Sequence, residues 1–344
     1  MITEIPKRKY ALAAMGEIML RLSPVGKERI SASDIFEKNV GGAELNVASG
    51  VAALGLSSAI ISRIPGSEIG KYVRKKVRAH GVSDEYLLTD GSHDARLGIY
   101  YYESGAYPRQ PMVSYDRRLS SFTALSSRDL SREIYSSASI FHTSGIAAAL
   151  SPDLSGTVID VAEQFKESGA IVSFDVNYRA ALWSEEEARR TVMEILPITS
   201  VLFVSEETAR RMLGMKGELR DIHRRLAERF PSLEIIASTR RSAITPGRHD
   251  FSSLVYDCRS DCHFEEAEYK GIEVVDRIGS GDAYIAGALY ALIKHRSIEA
   301  MTKYGNAMAA IKSTVSGDTA ACDLEDLLRV IRNHGEGQGS EIVR

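Results

Sequence analysis

Short apolar, β-branched runs alternate with amphipathic stretches along most of the 344 residues, and this rhythm limits the possible folds more than any other feature. Strands are expected at residues 11–15, 59–63, 140–143, 171–175, 201–204 and 234–237, with helices at 42–54, 68–80, 153–168, 185–196 and 219–230. Strands separated by helices predict an α/β fold, a mainly parallel sheet covered by helices on both faces. Ligands of such sheets bind beyond the carboxyl ends of the strands. Two stretches break the rhythm. Residues 17–40 and 96–115 read as strand-rich with no amphipathic helix, the second through Leu97-Gly98-Ile99-Tyr100-Tyr101-Tyr102, and they predict a small β-sheet standing off the main body as a lid or a dimer contact. From Ala283 onward the pattern is mostly helical, and the glycine-rich stretch after His334 reads as a disordered tail.

Composition removes several function classes. With 44% hydrophobic and 26% charged residues, the chain has the make-up of a globular protein. A formal net charge of -3 argues against a nucleic-acid binder that works by neutralising phosphates, and the basic run at residues 74–78 reads as a solvated helix face. Three cysteines make no disulfide framework, and eight scattered histidines without an HExxH make no zinc site. No stretch approaches the roughly 20 apolar residues of a membrane span, and no signal peptide is visible, so a cytoplasmic protein is expected.

Three patterns carry chemistry. In VDRIGSGDA (residues 275–283), two glycines flank a serine, an aspartate follows, and a helix opens. Bare backbone at a helix entrance directs several N–H groups at one anion, and Asp282 supplies an adjacent base, the combination that phosphoryl transfer needs. A glycine turn followed by an Asp that favours a helix N-terminus is the plainer alternative. In VGGAELNVA (residues 40–48), paired glycines again open a helix, with Asn46 about one turn in. Taken by itself, that pattern is more simply a helix start needing only flexible φ. In FDVNYR (residues 174–179), Arg179 follows a strand end, where a guanidinium forks onto a carboxylate or phosphate, or simply pairs with Glu185 or Glu186. Neither GxxxxGK[ST] nor a GxGxxG after the first strand is present, which excludes a P-loop and gives a dinucleotide site little support.

In this order, the three patterns resemble the ribokinase-like (PfkB) family of ATP-dependent carbohydrate kinases, over nearly the whole chain. The resemblance implies a ribokinase-like three-layer α/β/α domain over residues 1–334 with a protruding β-sheet lid, ATP and Mg2+ as cofactors, and a second copy of the chain as a partner at the lid. FDVNYRAALW, YDRRLSS (residues 115–121) and TSGIAAALS (residues 143–151) look like the 2-keto-3-deoxygluconate kinase branch. Carried over from the resemblance, Asp282 is the catalytic base and the N–H groups of Gly279, Ser280 and Gly281 form the anion hole. Gly42, Asn46, Tyr100 and Ile146 match sugar-pocket positions, Arg117 and Arg179 match the arginines that meet a sugar-acid carboxylate, and Asp318 matches an acidic residue near the substrate. Ser205, Gly279, Gly281 and Asn306 match nucleotide-side positions. Two converging guanidiniums would be left unpaired around a neutral sugar, which favours a sugar acid. A neutral ketose kinase and a catalytically silent sugar-binding relative are the alternatives. The chain departs from the family at Ser205-Glu206-Glu207-Thr208, where Asn-x-x-Glu is common and helps organise magnesium, so the metal arrangement stays open; it departs again at residues 238–243, which lack the usual glycines of the nucleotide segment and offer Arg240 or Arg241 as the positive charge instead.

Overall fold

The computed structural model describes residues 5–106, 108–211, 214–245 and 247–336. Six strands lie side by side and parallel in the order Ile235–Thr245, Val201–Phe203, Ile171–Asp175, Ala138–Ser144, Tyr10–Met15 and Ser58–Pro65. Strand Tyr10–Met15 is an interior strand. The chain leaves it to build Ser58–Pro65 on one side, then returns to add Ala138–Ser144 on the other, so the strand order reverses between these neighbours. Such a reversal opens a crevice beyond the carboxyl ends of the strands.

Side-chain alternation along the strands makes two apolar cores, one on each face. Leu12, Ala14, Ile60, Ile140, Val201 and Phe203 point into one core, under helices Ala43–Ala53, Ser280–His295 and Ile298–Ser313. Ala13, Met15, Ile61, Phe141, Val172, Phe174 and Leu202 point into the other, under Pro152–Glu167, Glu185–Ile195 and Leu219–Arg229. Strands buried on both faces explain why these runs are apolar throughout rather than alternating.

The strand expected at 234–237 is much longer. It runs as Ile235–Thr245 and folds back antiparallel onto Arg248–Asp257, which also pairs with Cys262–Glu265 and Tyr269–Glu273. The outer half of this hairpin is polar, so it lacks the apolar signature of the buried strands. The signal available was Pro246-Gly247 between two runs of strand length.

The two stretches that broke the rhythm form a separate four-stranded sheet, in the order Phe36–Gly41, Met19–Pro24, Gly98–Glu103 and Met112–Asp116. The last helix, Leu324–Glu336, runs two residues into the stretch expected as a disordered tail, and the rest of that stretch lies outside the described residues. No helix among the described residues is long and apolar enough to cross a membrane.

Candidate active site

Helix Ser280–His295 starts at Gly279, whose φ of 81° is in the left-handed region. A side chain there would be strained, and its Cβ would lie 2.0 Å from the Asp318 carbonyl oxygen. No side chain caps this helix, and of its first N–H groups Ser280 N makes a long 3.3 Å bond to the Arg277 carbonyl. Asp282 lies in that first turn, and its Oδ2 accepts a 2.7 Å hydrogen bond from Asn46 Nδ2. Asn46 is carried by helix Ala43–Ala53, which opens at Gly42 with φ 151° and so close to the lid connection that a Cβ would lie 2.2 Å from the Glu17 carbonyl oxygen. The two glycine-led helix entrances thus face each other. Burial pushes the Asp282 carboxyl up to about 6, opposed by the Asn46 hydrogen bond and the Arg179 charge.

Both entrances open into a cavity of about 1460 Å3 between the lid and the carboxyl ends of the strands. It is lined by Gly42, Asn46, Tyr100, Arg117, Ile146, Arg179, Ser205, Gly279, Ser280, Gly281, Asp282 and Asp318, so twelve of the thirteen residues singled out from sequence come together. Asn306 does not join them. It is fully buried in helix Ile298–Ser313, and its Nδ2 donates to Glu266 at 3.3 Å.

The two arginines differ. Arg117 is buried and already paired, its Nε donating to Glu17 Oε2 at 2.8 Å and its Nη2 to the same oxygen, while Ser120 Oγ donates to the other Glu17 oxygen. The sequence argument for two guanidiniums lacking partners therefore holds for one. Arg179 is exposed, and the only hydrogen bond its guanidinium makes among the described residues runs to the Tyr178 carbonyl at 3.3 Å. The alternative pairing with Glu185 or Glu186 is not among the ion pairs of the described residues, and Glu185 binds Arg211.

Tyr100 donates to Asp318, which also faces Arg21 at 3.5 Å. Ser205 caps a short helix, Glu206–Arg211, by accepting from Thr208 N at 3.1 Å. The neighbouring acids are engaged too, Glu206 by Arg210 and Arg240, Glu207 by Arg211. No group of three metal-ligating side chains occurs among the described residues.

Several residues at the site had no role assigned from sequence. Glu44 is buried beside Asp282 and accepts from Ser144 Oγ, and burial pushes its carboxyl up to about 7. Asp175, at the end of strand Ile171–Asp175, is likewise pushed up to about 7 by burial and by the Asp282 charge. Arg241 and Arg277 line the cavity, and burial together with the Arg277 and Arg179 charges lowers Arg241 below the ordinary arginine value. Each was visible in a quoted motif or at a strand end, but its proximity to Asp282 or Arg179 arises only from the fold.

The model for pfkB family carbohydrate kinases matches residues 10–326. The chain belongs to that family. A 2-dehydro-3-deoxygalactonokinase from Haloferax volcanii is 36% identical over 326 residues, covering 95% of this kinase and 98% of its own chain. The crystal structure of a 2-dehydro-3-deoxygluconokinase from Thermotoga maritima superposes with a TM-score of 0.88 at 29% identity, covering 93% of this kinase and 99% of that chain. The fold is also shared with a ribokinase II from E. coli described in complex with ATP and Mg2+, with a TM-score of 0.80 at 18% identity and coverage of 94% and 100%. This sugar kinase is similar to the 2-dehydro-3-deoxy-galactono- and gluconokinases.

Proposed function

We propose that this kinase transfers the γ-phosphate of ATP to a hydroxyl of a 2-keto-3-deoxy sugar acid, 2-keto-3-deoxygluconate or its galactonate epimer, giving the 6-phosphate. The observation that carries the reading is the carboxylate of Asp282 beside an uncapped helix N-terminus, with the uncommitted guanidinium of Arg179 lining the same cavity. The substrate hydroxyl oxygen attacks the γ-phosphorus, the bond to the β-phosphate oxygen breaks, and the hydroxyl proton passes to Asp282. The N–H groups of Gly279, Ser280 and Gly281 hold the charge that spreads over the transferring oxygens. Asn46 orients the base through its 2.7 Å bond. Arg179, Arg241 and Arg277 give the cavity the positive field that a sugar acid and a triphosphate both require.

ATP enters as its magnesium complex, and because such magnesium is held largely by phosphate oxygens and water, the absence of a protein metal cluster among the described residues fits a substrate-borne ion. Similarity to a 2-dehydro-3-deoxygalactonokinase and a 2-dehydro-3-deoxygluconokinase supports the substrate class. The lid carries exposed Val25, Ile35 and Met112, apolar side chains suited to contact with a second copy of the chain. Free cysteines fit a cytoplasmic setting.

A neutral ketose is the second reading, favoured by the Arg117–Glu17 pair, which removes one of the two charges that call for a ligand carboxylate. A coupled ADP-release assay with MgATP and a panel holding both sugar-acid epimers, fructose and ribose tests the choice. Turnover of the sugar acids at least tenfold above fructose is expected. Preference for fructose would move the substrate to the neutral ketoses, and sugar binding without ADP release would remove the kinase mechanism.

A further inference from the structure

Lysine is almost never fully buried without partners, yet Lys312 is 0% exposed. Its Nζ donates to the carbonyl of Asp276 at 3.0 Å and to that of Val315 at 3.1 Å. Asp276 begins the turn that ends at Asp282, and Val315 belongs to the loop that follows helix Ile298–Ser313. Other bonds join the same two segments. Val275 N and Asp276 N donate to the Ser313 carbonyl at 2.9 and 3.3 Å, and Gly317 N donates to Asp276 Oδ2 at 3.1 Å. Asp276 also receives Arg21 Nη2 at 2.5 Å, and Arg21 faces Asp318 at 3.5 Å.

Two buried cations, Arg21 and Lys312, therefore balance two buried carboxylates, Asp276 and Asp318, directly beneath the anion-hole turn. Burial pulls Lys312 below the ordinary lysine value, while Asp276, Asp318 and Asp282 oppose that shift and Arg21 adds to it. The arrangement is balanced only with the ammonium in place. Without it two carboxylates share one guanidinium, and two carbonyls lose their donor.

We propose that Lys312 is a positioning residue for phosphoryl transfer, an internal ammonium that clamps the 276–282 turn to the 313–318 loop and fixes the N–H groups of the anion hole. The inference rests on reading that turn as the phosphoryl-transfer site. A preorganised donor set acts only if it stays in place while charge develops. Displacement of about 1 Å at a reacting centre costs on the order of 100-fold in rate. Lys312 is fully buried and is not among the residues lining the cavity, so its loss should act on kcat rather than on sugar affinity.

The test compares the wild-type chain with Lys312→Met and Lys312→Gln in two readouts. In the ADP-release assay, kcat of K312M is expected to fall about 10–100-fold with KM for the sugar acid within about threefold. In hydrogen exchange of the ligand-free proteins, peptides covering residues 276–283 should exchange faster in K312M while the strands of the main sheet stay protected. Ammonium or methylammonium chloride should restore part of both, and tetramethylammonium chloride at equal ionic strength should not. If K312M aggregates, K312Q is read in its place, since its amide can still donate to a carbonyl but carries no charge. Unchanged exchange in the turn, an unchanged kcat, or a rise in KM at constant kcat overturns the inference. Wild-type protein that releases no ADP would instead remove the kinase mechanism, and the exchange comparison would still decide whether Lys312 clamps the turn.

Discussion

Gly281→Ala separates the needs of the fold from those of the reaction. Gly281 is the second residue of helix Ser280–His295, outside the positive-φ set, and a Cβ built there meets nothing within 4 Å. Alanine is therefore compatible with the backbone, and replacing glycine at such a site stabilises a protein by about 0.4–1 kcal/mol, mainly by restricting the unfolded chain. An unfolding entropy of about 2.1 cal/mol/K per residue, taken over 344 residues, gives roughly 0.7 kcal/mol per degree. The expected rise in Tm is thus about 0.5–1.5 °C. The space that receives the methyl group is the cavity itself, at the mouth of the anion hole. Obstructing one oxyanion donor costs on the order of 100–1000-fold in kcat. The variant should melt at or slightly above the wild-type temperature by scanning calorimetry and be nearly inactive in the ADP-release assay. A kcat within about threefold of wild type would refute the placement of the transferring phosphoryl group against this helix N-terminus.

Arg179→Ala should lose about 10–100-fold in kcat/KM for the sugar acid, the equivalent of one charge-assisted hydrogen bond of about 1.5–3 kcal/mol, with little change for fructose; equal losses on both sugars would count against carboxylate recognition. Because Asp282 must be ionised to take the proton, kcat/KM should rise through about pH 6, and Asn46→Ala, which removes a bond to the ionised form, should move that limb upward in a pH–rate profile. The same raised carboxyl acts on stability with the opposite sense: native Asp282 holds its proton more tightly than the unfolded chain, so its contribution is complete below about pH 4 and is lost as pH rises through about 6. Glu17→Ala leaves Arg117 buried without its partner and should lower unfolding free energy by about 3–5 kcal/mol in urea titration; a change under 1 kcal/mol would mean that the pair is effectively solvated.

The parallel core was legible because its strands are buried on both faces and their helices carry amphipathic stripes, so 171–175 falls where expected. The hairpin 235–257 was not, because Thr239 to Thr245 lies beyond the helices and reads as polar loop. Within the site, helix entrances and strand ends are local features, and they led to Asp282, Asn46 and Arg179. What sequence could not show is which charges are already spent. Arg117 and Glu17 are 100 residues apart and meet only when the lid folds over the sheet. Asn306 had the opposite fate, since helix packing turns its amide inward to Glu266. Lys312 gave no signal, because a lysine in a helix normally reads as surface.

The Arg21–Asp276 pair has a mechanical consequence. Arg21 lies on an inner strand of the lid sheet, as does Tyr100, and both reach into the machinery below, at Asp276 and Asp318. The outer strand Met112–Asp116 makes no such attachment to these acids among the described residues. The lid is therefore riveted to these acids along its middle, while its Met112–Asp116 rim is held only at its base, by the Arg117–Glu17 pair, among the described ion pairs. A sugar that enters by lifting that rim leaves the rivets intact, whereas swinging the whole sheet away would pull on Asp276 and drag the anion hole out of line. In this molecule the cover and the catalytic turn cannot be exchanged as independent modules, and a lid grafted from a relative would have to bring its own partner for Asp276.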